Sequence, residues 1–230
     1  MNTTTKFGLA GLFAALLVSV TTTAQGNGQG NNPPGNQVLL TYLQSLPVQA
    51  LDAGETALLV HMREEEKLAR DVYRTLNQQW SLPVFANIAD SEQNHMDLVL
   101  WAMQRYQVQD PVPSNQVGSF NNPLFTQLFQ LATTIGSLSP IHAMLVGAII
   151  EDLDIDDLAY ALGQTDNRDV DTVWQNLQLG SRNHMRAFYS QLANANVTYA
   201  GLFLTPAEVQ AIVTTPRETG AVDENGVPLP

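Results

Sequence analysis

Apolar residues recur at helical spacing along most of this chain, and that rhythm predicts four long helices. The first covers about residues 52–80, with Leu58, Leu59, Met62, Ala69, Val72, Tyr73 and Leu76 on one face. After Ser81-Leu82-Pro83 a second runs to about residue 106, its stripe made of Phe85, Ile88, Met96, Val99 and Met103. Ser139-Pro140 has the form of a helix start, an N-cap followed by proline at the first helical position. The third helix then runs to about residue 163 through Met144, Gly147, Ala148, Ile155, Leu158 and Leu162. The fourth spans about 169–195 through Val173, Leu177, Gly180, Ser181, Ala187 and Phe188. Three short helices are expected beside them. They cover Val38 to Leu46, then Pro123 to Ile135 within the long connection after the second helix, and a last one opened by the capping box Thr205-Pro206-Ala207-Glu208. The pattern is all-α: a bundle of antiparallel helix pairs, joined by a crossover that contains a short extra helix.

Residues outside the periodic region divide simply. Residues 1–24 have the form of an export signal, with Lys6 ahead of the apolar run Phe7 to Val20 and the small residues Thr22-Thr23-Ala24 at the cut. The run is shorter than the ~20 residues of a membrane span, and no later segment is long and apolar enough to make one. The expectation is an exported, periplasmic or extracellular protein with no stable membrane span. Residues 25–37, rich in Gly, Asn, Gln and Pro, are expected as a flexible leader, 38–214 as the helical domain and 215–230 as a disordered tail.

Charge and composition then remove whole classes of function. The net charge is −12 and there is no basic run, which argues against a nucleic-acid partner. The chain has no cysteine, so disulfides, thiolate zinc sites, Cys-ligated iron–sulfur clusters and a cysteine nucleophile are excluded. Any metal site must use oxygen and nitrogen ligands, a donor set suited to iron, manganese or zinc.

The candidate chemistry lies where acids interrupt the apolar stripes. Glu92 and His95, three residues apart on one helical face, sit in the middle of the second helix's stripe. Glu151 interrupts the third helix in the same way, with Asp154 one turn on, and His184 lies on the inner face of the fourth. On the first helix Glu66 is flanked by Leu59, Met62, Ala69 and Tyr73, although spacing alone does not separate it from Glu65. Glu64, Asp152, Asp156 and Asp157 read as solvated, His61 and His142 as surface or structural. Arg182 and Arg186 are expected to pair with the acidic helices. An acid buried in an apolar stripe needs a partner. A cation held by one Glu from each of two helices and Glu/His sets from the other two would supply it. The bland alternative is a polar network that only fixes helix register.

Several blocks carry a resemblance. Glu66-Lys-Leu-Ala-Arg-Asp-Val-Tyr73 followed by Ile88-Ala-Asp-Ser-Glu92-Gln-Asn-His95 resembles the first two helices of the ferritin-like superfamily, rubrerythrins especially. With the stretches MREEEKLARDVY, FANIADSEQNHMD, GAIIEDLDIDDL and GSRNHMRAF, the chain from about 52 to 205 resembles the DUF2202 family of that superfamily. The resemblance implies a ferritin-like four-helix bundle with a dinuclear site. It selects Glu66, seven residues before a tyrosine, over Glu65, and it implies no known reaction. One departure stands out: where the di-iron pattern has Glu-x-x-His on the fourth helix, this chain reads Ser181-Arg-Asn-His184. Asp154 is the candidate replacement for that acid; without it the second position is weak.

The resulting expectation is an exported metal-binding bundle. Its ligands are Glu66, Glu92, His95, Glu151, His184 and Asp154, its cofactor one or two ions of iron or manganese. If it is an enzyme, the reaction class is redox chemistry on oxygen, peroxide or Fe(II), with Tyr73 as an outer donor. The alternative is a non-catalytic metal-binding or structural bundle at the cell envelope. Metal ions are the expected partners, and a homodimer is the assembly left open.

Overall fold

A computed structural model describes residues 35–230, so the expected export signal and most of the leader lie outside the described residues. Among the described residues seven helices follow one another: α1 (Gly35–Ser45), α2 (Ala53–Trp80), α3 (Pro83–Arg105), α4 (Pro123–Gly136), α5 (Pro140–Leu162), α6 (Arg168–Asn194) and α7 (Pro206–Val213). The fold is an all-α bundle. Its four long helices form two hairpins, α2 with α3 and α5 with α6; α2 also packs on α5 and α3 on α6. α4 lies in the crossover between the hairpins and packs across α2 and α5.

Local chemistry sets the ends of these helices. Asp52 and Glu55 make a reciprocal capping box at the start of α2. At its other end Ser81 adopts φ 52°, and its N–H returns to the Asn77 carbonyl. Only Leu82 then separates the cap from Pro83 at the first turn of α3. So tight a turn forces α2 and α3 antiparallel and side by side. Ser139 caps α5 with Pro140 behind it, and Thr205 caps α7 with Glu208 closing the box.

Two apolar clusters fill the bundle. One joins the C-terminal half of α2, the N-terminal half of α3, α4 and the N-terminal half of α5, with Phe85, Phe125 and Phe188 among its members. The other joins α1 to the opposite halves of the long helices through Leu43, Met62, Met103, Leu158 and Trp174. Between them lies a layer of buried acids and histidines. Gly147 permits close contact just beside that layer, since a Cβ there would meet the Phe188 ring at 2.5 Å. Among the described residues no helix is long and apolar enough to cross a membrane.

Four sequence expectations are corrected. Residues 215–230, expected as a disordered tail, lie along α6: Glu218 receives Arg182 (2.8 and 2.5 Å) and Arg186 (2.9 Å). Farther on, Asn176 exchanges hydrogen bonds with the backbone of Val222, and Glu224 ties Tyr42 of α1 to Arg168. The tail has no apolar stripe of helical period; ion pairs hold it, with Val222 buried and Ala221 and Leu229 packed against the bundle. The same contacts correct the expectation that Arg182 and Arg186 serve acids of neighbouring helices. Glu64 and Asp152 are buried, not solvated. Glu64 accepts the backbone N–H groups of Asn121 and Asn122 (2.6 and 3.1 Å), while Asp152 accepts those of Leu202, Phe203 and Leu204 together with the Tyr199 hydroxyl. Both carboxylates pin loops to the bundle. α1 also begins at Gly35, inside the stretch expected as leader.

Candidate metal centre

All six candidate residues fall in the buried layer between the apolar clusters, none more than 8% exposed. Each is there because the helical period returns its face to the bundle axis: Glu66 from α2, Glu92 and His95 from one turn of α3, Glu151 and Asp154 from one turn of α5, and His184 from α6.

Five of them form a continuous chain of contacts centred on Glu92. Its Oε2 lies 2.8 Å from His95 Nδ1 and its Oε1 2.9 Å from His184 Nδ1. Each imidazole then meets a second glutamate. His95 Nδ1 lies 3.2 Å from Glu66 Oε2, and His184 Nδ1 3.3 Å from Glu151 Oε2. The two rings face each other at 5.4 Å between centroids, 28° from parallel. The result is an approximate twofold arrangement, with one carboxylate spanning two histidines and each histidine sharing it with a glutamate from another helix.

Outer partners hold this set in place. Tyr73 donates its hydroxyl to Glu151 Oε1 at 2.5 Å. Ser91 Oγ lies 2.9 Å from His184 Nε2, fixing the ring so that Nδ1 turns inward. Gly180 makes room for His95, since a Cβ on that residue would come within 2.3 Å of His95 Nε2. Ser91 was missed in the sequence, and Gly180 was placed on the inner face of α6 without its use being read. A small residue carries no chemical signal of its own, and only the neighbouring helix reveals what it makes room for.

The twofold breaks at Ser181. Its hydroxyl hydrogen-bonds Asp154 Oδ2, so the α6 position that lacks an acid is joined directly to an acid from α5. Asp154 feels the charges of Glu66, Glu65 and Glu151 but makes no ion pair with either histidine among the described residues. It is therefore in the layer, yet outside the Glu92-centred chain.

Electrostatics follow from burying four acids with two imidazoles. Burial pushes the Glu66 carboxyl up to about 8, with Glu92 and Glu65 adding to the rise and His95 opposing it. Glu151 rises to about 7 through burial and the charge of Glu92, against the pull of His184 and Tyr73. Burial also raises Asp154, and the surrounding acids push it further up. Glu92 moves the other way: burial would raise it, but His184 and His95 outweigh that and hold it well below the usual carboxylate range. Burial disfavours the charged form of His184, yet Glu92 and Glu151 raise it to about 9. His95 is raised well above its ordinary value by Glu66 and Glu92 in the same way. Without an external cation the layer is neutralised by protons. Among the described residues Glu66 Oε1 and Asp154 Oδ1 are buried without a hydrogen bond, which leaves two carboxylate oxygens open toward the layer.

Fold and site together define a class: an all-α bundle whose core carries a convergent carboxylate/histidine cluster able to hold a metal ion. The sequence matches the family described as uncharacterized protein domain DUF2202 over residues 55–216, and the chain belongs to that family. It is similar to uncharacterized protein MJ0754 of Methanocaldococcus jannaschii, 45% identical over 182 residues, covering 79% of this chain and 98% of that protein. The crystal structure of hypothetical protein MJ0754 from Methanococcus jannaschii DSM 2661 superposes with a TM-score of 0.74, covering 76% of this chain and 99% of that one.

Proposed function

We propose that this protein is an exported ferritin-like metal protein, whose bundle core holds one or two ions of iron or manganese. One observation carries the reading: the two oxygens of Glu92 face the Nδ1 atoms of His95 and His184, and each histidine also meets a second glutamate. A single carboxylate placed between two N,O donor sets is the arrangement that bridges a pair of ions. The donors fit the group. Four carboxylates with two neutral imidazoles balance two divalent cations, and no lysine or arginine pairs with those acids among the described residues.

Glu66, Glu92 and His95 would hold one ion, and Glu92, Glu151 and His184 the other. Such ions supply one-electron chemistry toward oxygen, peroxide or Fe(II) when bound. The protein's own part follows from its side chains. Tyr73 orients Glu151 through its hydroxyl, Ser91 fixes the His184 ring, and the apolar clusters above and below keep bulk water out of the layer. Export is proposed from Lys6 and the apolar run that follows it.

A second reading, metal retention without turnover, is favoured by Ser181. The acid expected there is replaced by a hydroxyl bound to Asp154, which leaves one flank of the site with fewer first-contact carboxylates. Two assays separate the readings. Elemental analysis after anaerobic reconstitution with Fe(II) or Mn(II) counts the ions, and peroxide or oxygen consumption by the loaded protein measures turnover. The redox reading expects two equivalents with consumption above that of free metal. Bound metal without consumption supports retention alone, and no bound metal in folded protein refutes both.

A further inference from the structure

A second group of ligand-type side chains converges on the α2–α5 seam, outside the Glu92-centred chain. His61 Nε2 lies 3.2 Å from Glu65 Oε2 and 3.6 Å from Asp157 Oδ2, and one donor atom from each of the three residues lies within 4.8 Å of the others. His61 and Glu65 share a face of α2 at i,i+4 spacing, while Asp157 comes from α5. Glu65 lies about 100° around α2 from Glu66, and Asp157 is one turn beyond Asp154, so the group is neighbour to the core layer but not part of it.

Three features make it a built site rather than a patch of surface acids. Burial is graded: the Glu65 side chain is 4% exposed at the floor, His61 18% and Asp157 22% at the mouth. Glu65 Oε2 is buried, aims into the group, and among the described residues has no hydrogen bond of good geometry. The His61 ring is held against Phe125, with centroids 5.3 Å apart, so its direction is set by packing. Two carboxylates face this one imidazole, and among the described residues no lysine or arginine forms an ion pair with either of them.

We propose that His61, Glu65 and Asp157 form a second divalent-cation site, independent of the core, taking an ion of the zinc(II) or manganese(II) class. One imidazole and two carboxylates supply three donors of suitable type, and the open side leaves the remaining positions to water. The competing arrangement is an internal ion pair, with His61 protonated between the two acids and no metal taken up.

Equilibrium dialysis of the whole protein against Zn(II) distinguishes them, using Asp157→Asn and His61→Gln beside the wild type, with folding checked by circular dichroism. Asp157 lies at the mouth, 22% exposed, and its amide is nearly isosteric, so that variant should fold. The site predicts that each variant binds one equivalent of Zn(II) fewer than wild type, the lost site weakening by at least ~10-fold. A Glu92→Gln variant should keep this equivalent whatever becomes of the core ions, so the two sites can fail separately. Equal Zn(II) stoichiometry in wild type, Asp157→Asn and His61→Gln would overturn the proposal.

Discussion

Two faces of α2 bury acids within a few residues of each other and treat them in opposite ways. Asp71 is fully buried and fully answered: Lys67 and Arg70 pair with it, and the Gly118 N–H donates at 2.9 Å. Lys67 also bonds the Gln116 carbonyl (2.9 Å) and sits over the Phe120 ring, so this network ties the crossover to the bundle. Glu66, on the other face, pairs among the described residues only with His95, and its Oε1 has no hydrogen bond there. The same split recurs on α5. Asp152 is satisfied by backbone donors, whereas Glu151 and Asp154 point into a layer where acids outnumber imidazoles. Satisfied acids build structure. Acids left in surplus, on three helices at one level, mark the place where an external cation fits.

The sharpest way to break this contrast is to remove the satisfied acid. Asp71→Ala should strand Lys67 and Arg70 in the interior and cost about 3–5 kcal/mol in chemical denaturation. Metal stoichiometry should be untouched as long as the protein folds. Glu92→Gln is the mirror experiment. It removes the charge shared by both histidines and should weaken metal binding by ~100-fold or more in dialysis, with the helical spectrum retained.

Proton linkage sharpens the contrast further. In ion-free protein Glu66 and Glu151 are raised from 4.5 to about 8 and about 7, and His184 from 6.5 to about 9. The folded state therefore holds more protons than the unfolded one from about pH 4.5 to about 9, and stability must fall as pH rises through that window. Glu92 has the opposite sign, but its contribution is lost only in acid, as pH falls below 4.5. Thermal melts of chelator-treated protein should thus show a Tm that declines from pH 6 to pH 9. Metal uptake releases the same protons, so affinity should rise over that range. A flat melting profile would mean that the layer does not carry the retained protons. The smallest effect expected is that of Ser181→Ala, which deprives Asp154 of its hydroxyl partner. It should lower metal affinity by ~10-fold while leaving the fold intact.

Much of the bundle was legible in the sequence because its helices bury one face each, and an apolar period with caps such as Asp52, Ser139 and Thr205 marks such elements well. The acids within those stripes were legible for the same reason. What spacing could not do was separate Glu65 from Glu66. The structure shows why: both are buried, one toward His61 and Asp157, the other toward His95. Glu64 and Asp152 were misread because their partners are backbone N–H groups about fifty residues away, which leave no mark on local periodicity. The C-terminal segment was misread because ion pairs to Arg182, Arg186 and Arg168 hold it, and a tail held by charge without an apolar stripe reads as a disordered one. Asp154 shows the reverse case. The loss of an acid at Ser181 was visible in the sequence, but only the structure joins that serine to the carboxylate beside it.

The central claim is that the surplus acids receive metal. Its most direct test is a crystal of protein reconstituted anaerobically with Mn(II), with anomalous scattering recorded at the manganese edge. Anomalous peaks are expected on both sides of Glu92, one toward Glu66 and His95 and the other toward Glu151 and His184. An ordered core with no anomalous signal in that layer, and protons or waters alone between the carboxylates, would contradict the claim.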